Sequence, residues 1–359
     1  MPPRRHAAAR NAHWAAFSAA CIVLYGLSVR AAAGRGADPL GALWSLSQTP
    51  GALVDLGALA GGRVWVDGQW WRVLSAGLLH GSLVHLAVNL WSLWSVAPPL
   101  DRVLGRLGSS LVFVTGVAAG SLASLAFGRG AVVVGASAGI VAQAGALWVV
   151  RRFGPPSLWR PAADVSPRAL FVSLALLVAV GFAVPVIAQA GHLGGLLAGC
   201  AMAGAAVRAR RRRLALAAAA VVSLVPLSAL AYAPAWSAAY HEQVGVRALD
   251  LGQVERARAA FDRALSLAPD DPRLQNAVAY ALALAGRDLD RAEALARAAL
   301  AADPSNADVW DTLGWALCRA GRTDEGLAAL HEARDRADAV FPELREHLEG
   351  CAGAAVHGR

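Results

Sequence analysis

No lysine occurs in the 359 residues, so every fixed positive charge on a side chain is an arginine. With the dominance of Ala, Gly and Arg, this reads as GC-rich bacterial coding and carries no functional weight. Carboxylates are scarce in the first two thirds of the chain. Residues 1–236 hold five of them (Asp38, Asp55, Asp67, Asp101 and Asp164) against 19 arginines, whereas residues 237–359 hold 20 against 14. The two parts therefore carry about +14 and about −6. The arginines stand in short tracts between apolar runs and not on one soluble face, which argues against nucleic acid as a partner. Cys21, Cys200, Cys318 and Cys351 lack the paired spacing of a zinc site or a redox motif, so they are expected as buried small hydrophobes. No carboxylate lies deep in an apolar run and no inverted repeat relates the runs, which counts against a transporter. Nothing calls for a metal or an organic cofactor.

What is present is apolar: 57% of the residues are hydrophobic, too many for an ordinary soluble enzyme. A helix needs about 20 apolar residues to cross the hydrocarbon core. Seven charge-poor runs meet that length, at approximately 14–33, 73–97, 109–127, 131–150, 169–188, 190–207 and 214–235. Arginine concentrates at the N-terminus, in 102–106, in 151–168 and in Arg208 to Arg213, which are alternate connections and so cytoplasmic by the positive-inside rule. The basic start is expected to lead into a first span and not into a cleavable signal peptide. The loop 34–72 holds Trp44, Trp65, Trp70 and Trp71, rings that prefer the headgroup layer.

After Trp236 the pattern becomes that of soluble amphipathic helices, with Gly252, Gly286 and Gly321 recurring at intervals of 34 and 35. Gly245, Ala257, Phe261, Ala264 and Pro269, then Ala292, Ala299 and Pro304, then Trp310, Leu313, Gly314 and Ala333 occupy matching places. This pattern resembles the tetratricopeptide repeat, which implies an α-solenoid of paired helices over 237–350 with about three repeats. Residues 351–359 are expected as a loose tail.

Four groups of polar residues stand inside apolar runs. His85 and Asn89 lie four apart, one helical turn, with His80 a little earlier; alone they fit interhelical hydrogen bonding as well as a site. Gly135-Ala136-Ser137-Ala138-Gly139 opens the fourth run. A serine there usually satisfies itself on a backbone carbonyl, yet Gly135 and Gly139 permit close backbone approach, and a helix start offers unpaired N–H groups to an oxyanion. His192 is followed by Gly195 and Gly199 on one face, a small-residue surface for a close helix neighbour. With the fourth span as that neighbour, His192 comes within reach of Ser137.

Taken in order, Trp71-Arg72, His85-x-x-x-Asn89, Gly135-x-Ser137 and His192-x-x-Gly195-x-x-x-Gly199 resemble the rhomboid family over about residues 14–207. The resemblance implies an all-α polytopic membrane bundle, a six-helix core, to which 214–235 adds a seventh span. It implies an intramembrane serine endopeptidase in which Ser137 is the nucleophile and His192 the general base and acid, acting on transmembrane proteins in the bilayer without a cofactor. His85, Asn89 and the backbone at Gly135 and Ser137 would support the oxyanion. Trp71 and Arg72 would anchor the first loop, and Gly195 and Gly199 would pack the helices. Two positions depart from the pattern: Ala138 replaces a glycine, and Val141 replaces an aromatic on which the histidine packs. The expected division is 1–13 basic and cytoplasmic, 14–207 core, 208–236 basic anchor and last span, then the repeats. An odd number of spans would place those repeats outside the cytoplasm of a bacterial inner membrane, where they would bind a protein or peptide partner. The alternative reading is a catalytically inactive rhomboid-like adaptor that binds clients.

Overall fold

Backbone groups in hydrocarbon must be paired internally, and the charge-poor runs accordingly fold as helices. The computed structural model describes residues 11–46, 49–128, 132–183, 189–337 and 342–357. Among these there is no strand, only isolated bridges between Ser45 and Ser82 and between Leu59 and Val133. The chain divides into two units, Met1–Pro234 and Ala235–Arg359.

The first unit is built from α1 (Ala12–Ala33), α2 (Leu83–Phe127), α3 (Ser137–Phe153), α4 (Pro167–Ala183), α5 (Gln189–Arg208) and α6 (Arg212–Tyr232). Of these, α1, α2, α5 and α6 are long and apolar enough to cross a membrane. At 45 residues α2 is too long for one crossing, and it breaks at Gly105 (φ 74°, ψ 163°) into two arms. With 17 residues each, α3 and α4 sit at the short limit for a span. Arg4, Arg5 and Arg10, and the last five residues of the run expected at 169–188, lie outside the described residues.

Two expected runs start later than their hydropathy suggests. The run placed at 73–97 becomes a long helix only at Leu83, where the Ser82 hydroxyl caps it by accepting from the His85 N–H at 3.1 Å. Before that cap, Arg72–Ser75 and Ala76–Leu78 form short helices and His80 lies outside any helix. The run placed at 131–150 becomes helical only at Ser137, because Val133 is held extended by paired backbone hydrogen bonds to Leu59 of 2.9 and 3.0 Å. The loop 34–72 is likewise ordered into the short helices Pro39–Trp44, Pro50–Asp55 and Gly61–Trp65. Its Trp65 Nε1 donates to the Ala231 carbonyl at 2.8 Å and Trp70 stacks on Tyr232, while Trp44 and Trp71 stay exposed.

Packing along α6 shows how much of the bundle it traverses. Leu216 near its start is buried with Leu100 and Val112, whereas Ala231 near its end is buried with Leu59 and Leu122. It therefore runs beside most of the length of the second arm of α2.

The second unit comprises α7 (Ala238–Asp250), α8 (Val254–Leu267), α9 (Pro272–Ala285), α10 (Leu289–Ala302), α11 (Ala307–Arg319), α12 (Thr323–Arg336) and α13 (Pro342–His357). Three helix pairs, α7 with α8, α9 with α10 and α11 with α12, turn through Gly252, Gly286 and Gly321, at φ of 71°, 63° and 82°. These are left-handed backbone positions that glycine adopts at no steric cost, which accounts for the period. Within the first pair a Cβ on Gly245 would stand 2.5 Å from the Phe261 ring, so the small and aromatic positions of the repeat are one contact.

Two expectations fail here. Cys318 and Cys351 are not free: they form a disulfide across 33 residues of sequence. Nor are residues 351–359 loose from their start, since α13 continues to His357. Both follow from α13 packing on α11 and α12, where Leu344 is fully buried and His347 Nδ1 meets the Asp311 carboxylate at 2.9 and 3.0 Å.

Candidate active site

Three helices meet through glycine at the centre of the first unit. A Cβ on Gly195 would lie 2.3 Å from the Ala138 carbonyl oxygen, and one on Gly199 would lie 2.0 Å from that of Ala142. The second arm of α2 joins them, because a Cβ on Gly120 would lie 2.7 Å from the Gly191 oxygen and one on Gly116 would lie 2.3 Å from the Ala142 Cβ. No side chain larger than hydrogen fits at these crossings, so the backbones of α2, α3 and α5 come close enough to join side chains distant in sequence.

The result is the contact between Ser137 and His192. The Ser137 Oγ stands 2.8 Å from His192 Nε2 across 55 residues. His192 is buried on α5, and Ser137 is half-buried as the first residue of α3. For Nε2 to accept the hydroxyl proton, the ring must carry its own proton on Nδ1, the other nitrogen.

The approach to Ser137 is set by strand-like backbone. After the Val133 pairing with Leu59, the Gly135 N–H donates to the Ala76 carbonyl at 2.9 Å, and Gly135 takes φ 122°, open to glycine and strained for other residues. That conformation leaves the Gly135 Cα facing α2. A Cβ there would stand 2.8 Å from His85 Nε2 and 3.7 Å from Asn89 Nδ2, so His85 and Asn89 lie on the loop that precedes the serine. Asn89 is buried and its Nδ2 donates to the His85 carbonyl at 3.1 Å. The fully buried His80 ring lies edge-on to His85 at 5.1 Å.

Ser137, His192 and Gly135 line a cavity of about 30 Å³, room for one or two waters. Ser121 and Ser124, on the second arm of α2, also line it. Sequence reading passed over these two; the signal for them is two hydroxyls one helical turn apart in an otherwise apolar run.

The other expected residues lie around this centre. Arg72 is buried and donates to the carbonyls of Val54 at 2.6 Å and Ala58 at 2.8 Å and to Gln69 Oε1 at 2.8 Å. Trp71 is exposed on one side, with its ring edge against Gly57. The pair thus ties the loop 54–72 to the short helices that carry Ala76. Val141 is buried one turn into α3. No cluster of three or more metal-ligating side chains occurs among the described residues.

Residues 67–209 match the Rhomboid domain. The rhomboid protease GluP of Bacillus subtilis is 33% identical over 133 residues, 37% of this chain and 25% of that protein. The rhomboid protease GlpG of Serratia proteamaculans is 32% identical over 140 residues, 38% of this chain and 48% of that one. RHOMBOID-like protein 6, mitochondrial, of Arabidopsis thaliana is 24% identical over 164 residues, 43% and 49% of the two chains. The chain thus spans between a quarter and about half the length of these relatives. Together they support the rhomboid family for the first unit, and with the apolar helices they support a multi-pass membrane protein. The rhomboid match holds α2, α3 and α5 whole, and with them every residue of the Ser137 and His192 cavity. Among solved structures, the Sgt2 TPR domain from Aspergillus fumigatus is similar at 20% identity and a TM-score of 0.30, over 34% of this chain and 80% of that one.

Proposed function

We propose that this protein is an intramembrane serine endopeptidase that cleaves transmembrane proteins in or near their membrane helices. The observation that carries the reading is the 2.8 Å contact of Ser137 Oγ with His192 Nε2 at the head of a helix inside an apolar bundle. As the peptide carbonyl is attacked, the Ser137 proton passes to His192 Nε2 and the Oγ–C bond forms. The carbonyl oxygen becomes an oxyanion beside the N–H groups of the first turn of α3, with His85 and Asn89 on the adjoining face. His192 then returns its proton to the departing amine, leaving an ester on Ser137. A water in the small cavity, deprotonated by the same nitrogen, releases the ester, so no third residue is needed for the proton to circulate. Backbone must be extended to reach Ser137, which favours substrates whose helices unwind readily at small or helix-breaking residues.

The second unit is read as a tetratricopeptide repeat domain that binds a protein or peptide partner, placed outside the cytoplasm of a bacterial inner membrane. Its three glycine-turned helix pairs support the repeat, and the Cys318–Cys351 disulfide supports an oxidising compartment. The test of the catalytic reading uses the full chain in detergent with a transmembrane reporter substrate. Wild-type protein cleaves it and Ser137→Ala does not; equal cleavage by both removes the assignment, and cleavage by neither favours the client-binding adaptor.

A further inference from the structure

The backbone that leads into Ser137 is held at two places, by the paired hydrogen bonds of Val133 with Leu59 at 2.9 and 3.0 Å and by the 2.9 Å bond from the Gly135 N–H to the Ala76 carbonyl. The Leu59 and Val133 pair is an isolated bridge and belongs to no strand. Such a bridge orders backbone on both sides with no neighbouring strand to support it, so side-chain packing must hold it in place. Leu59 and Val133 belong to one apolar cluster with Leu122 of the second arm of α2 and with Leu224, Leu227 and Ala231 of α6.

The end of α6 adds a contact that lipid cannot replace. Carbonyls in the last turn of a helix have no intrahelical donor, and three residues after Ala231 stands Pro234, which carries no N–H. Ala231 is fully buried, and its carbonyl accepts instead from the Trp65 Nε1–H at 2.8 Å. Trp65 closes the short helix Gly61–Trp65 that follows Leu59, and its ring lies on Gly61, where a Cβ would stand 2.2 Å from it. The indole is thus seated on its own short helix while its N–H reaches α6. Next along α6, Tyr232 stacks on Trp70 with ring centroids 6.0 Å apart and planes 9° from parallel. The Trp70 carbonyl in turn accepts from the Val73 N–H at 3.1 Å, at the start of the short helices that carry Ala76. The last two residues of α6 therefore grip both backbone segments, at Leu59 and at Ala76, that hold the approach to the serine.

We propose that Trp65 is a positioning residue for Ser137: by clasping the end of α6 it keeps the pairing of Leu59 with Val133 seated, and so fixes where α3 begins. The inference rests on the reading of Ser137 as the nucleophile. Hydrocarbon could take over the apolar contacts of α6, but it has no donor for the Ala231 carbonyl. A buried carbonyl left without a donor is relieved by moving toward water, which draws the end of α6 away from Leu59 and Val133. Trp65 and α6 both lie outside residues 67–209, so the geometry at Ser137 depends on parts of the chain beyond the matched domain.

Full-length wild type is compared in detergent with Trp65→Phe, which keeps an aromatic ring and removes the donor, by hydrogen–deuterium exchange and by cleavage of a transmembrane reporter. In Trp65→Phe the amides of Leu59 and Val133 should exchange on the order of 10-fold faster, while those of Gly191 to Gly199 on α5 keep their wild-type rate. The kcat should fall by on the order of 10 to 10² with KM unchanged, because a displaced nucleophile loses only transition-state stabilisation. Should Trp65→Phe lower the unfolding temperature, the same comparison is made with Tyr232→Ala, whose side chain is 71% exposed and leaves the core intact. Tyr232→Phe keeps the stack on Trp70 and should restore the wild-type values. Exchange at Leu59 and Val133 that stays at the wild-type rate overturns the proposal, as does faster exchange there with kcat retained. If no form of the protein cleaves, the protease reading falls, and the exchange at Leu59 and Val133 still supports or overturns the clasp.

Discussion

Substituting Gly199 by alanine should disable the proposed protease from a distance. Its new methyl would stand 2.0 Å from the Ala142 oxygen and 2.6 Å from the Ala142 carbonyl carbon, where ordinary contact begins near 3.4 Å. Since neither partner is a flexible side chain, α3 and α5 must part by about 1.4 Å. Overpacking of this kind costs about 1–3 kcal/mol. His192 lies seven residues before Gly199, about 10 Å along α5, and its 2.8 Å contact with Ser137 crosses the same seam. A shift of that size takes the pair beyond hydrogen-bond range, and a misplacement of about 1 Å costs on the order of 10² in rate. The control is Gly204→Ala, whose Cβ would meet only the Arg208 guanidinium at 3.5 Å and which should gain about 0.5–1 kcal/mol from reduced backbone freedom. Both variants are compared by cleavage of a transmembrane reporter in detergent and by thermal unfolding. A Gly199→Ala protein that cleaves and unfolds like wild type would refute the claim that helix approach sets the dyad.

Ser137→Ala and His192→Ala should each abolish cleavage, and the double variant should be no worse, because a dyad acts as one unit; a further drop in the double variant would show independent contributions. Asn89→Ala should lower turnover by about 10² to 10³ if its amide serves the oxyanion, and unchanged turnover would assign it to packing against His85 alone. Val141→Phe should raise the rate if ring orientation limits His192. Because Val141 is buried, the unfolding temperature is measured beside the rate, and a stable variant with no gain means another group already holds the ring.

Helix runs and the glycine period were legible because both are periodic: hydrocarbon demands length, and a paired-helix repeat demands a left-handed turn at fixed intervals. The proximity of Ser137 and His192 was legible for a related reason, since Gly195 and Gly199 mark the face on which α5 can approach closely. What escaped is set by contacts without period. Val133 looks like span but pairs with Leu59, 74 residues earlier in the chain, and so delays α3 until Ser137. Two cysteines 33 apart show no motif, yet α13 brings them together on α11.

Two independent lines bear on the proposed placement of the second unit outside the cytoplasm. The chain returns to the cytoplasm at the arginine run 208–213 if six spans precede it, and α6 then packs from the level of Leu100 to the level of Leu59 and Trp65, consistent with one further crossing. Separately, a disulfide persists in the periplasm and is kept reduced in the cytosol of most bacteria. Cys21 and Cys200 are free and lie in the membrane unit, so they serve as an internal standard. Protein taken from cells under denaturing, thiol-trapping conditions should accept maleimide at two cysteines without reductant and at all four after a dithiol is added. Alkaline phosphatase fused after Arg359 should be active, and a fluorescent protein that folds only in the cytoplasm should stay dark there. Four maleimides without reductant, together with a bright fusion, would place the repeats in the cytoplasm and overturn both the seventh crossing and the binding of a partner outside the cytoplasm.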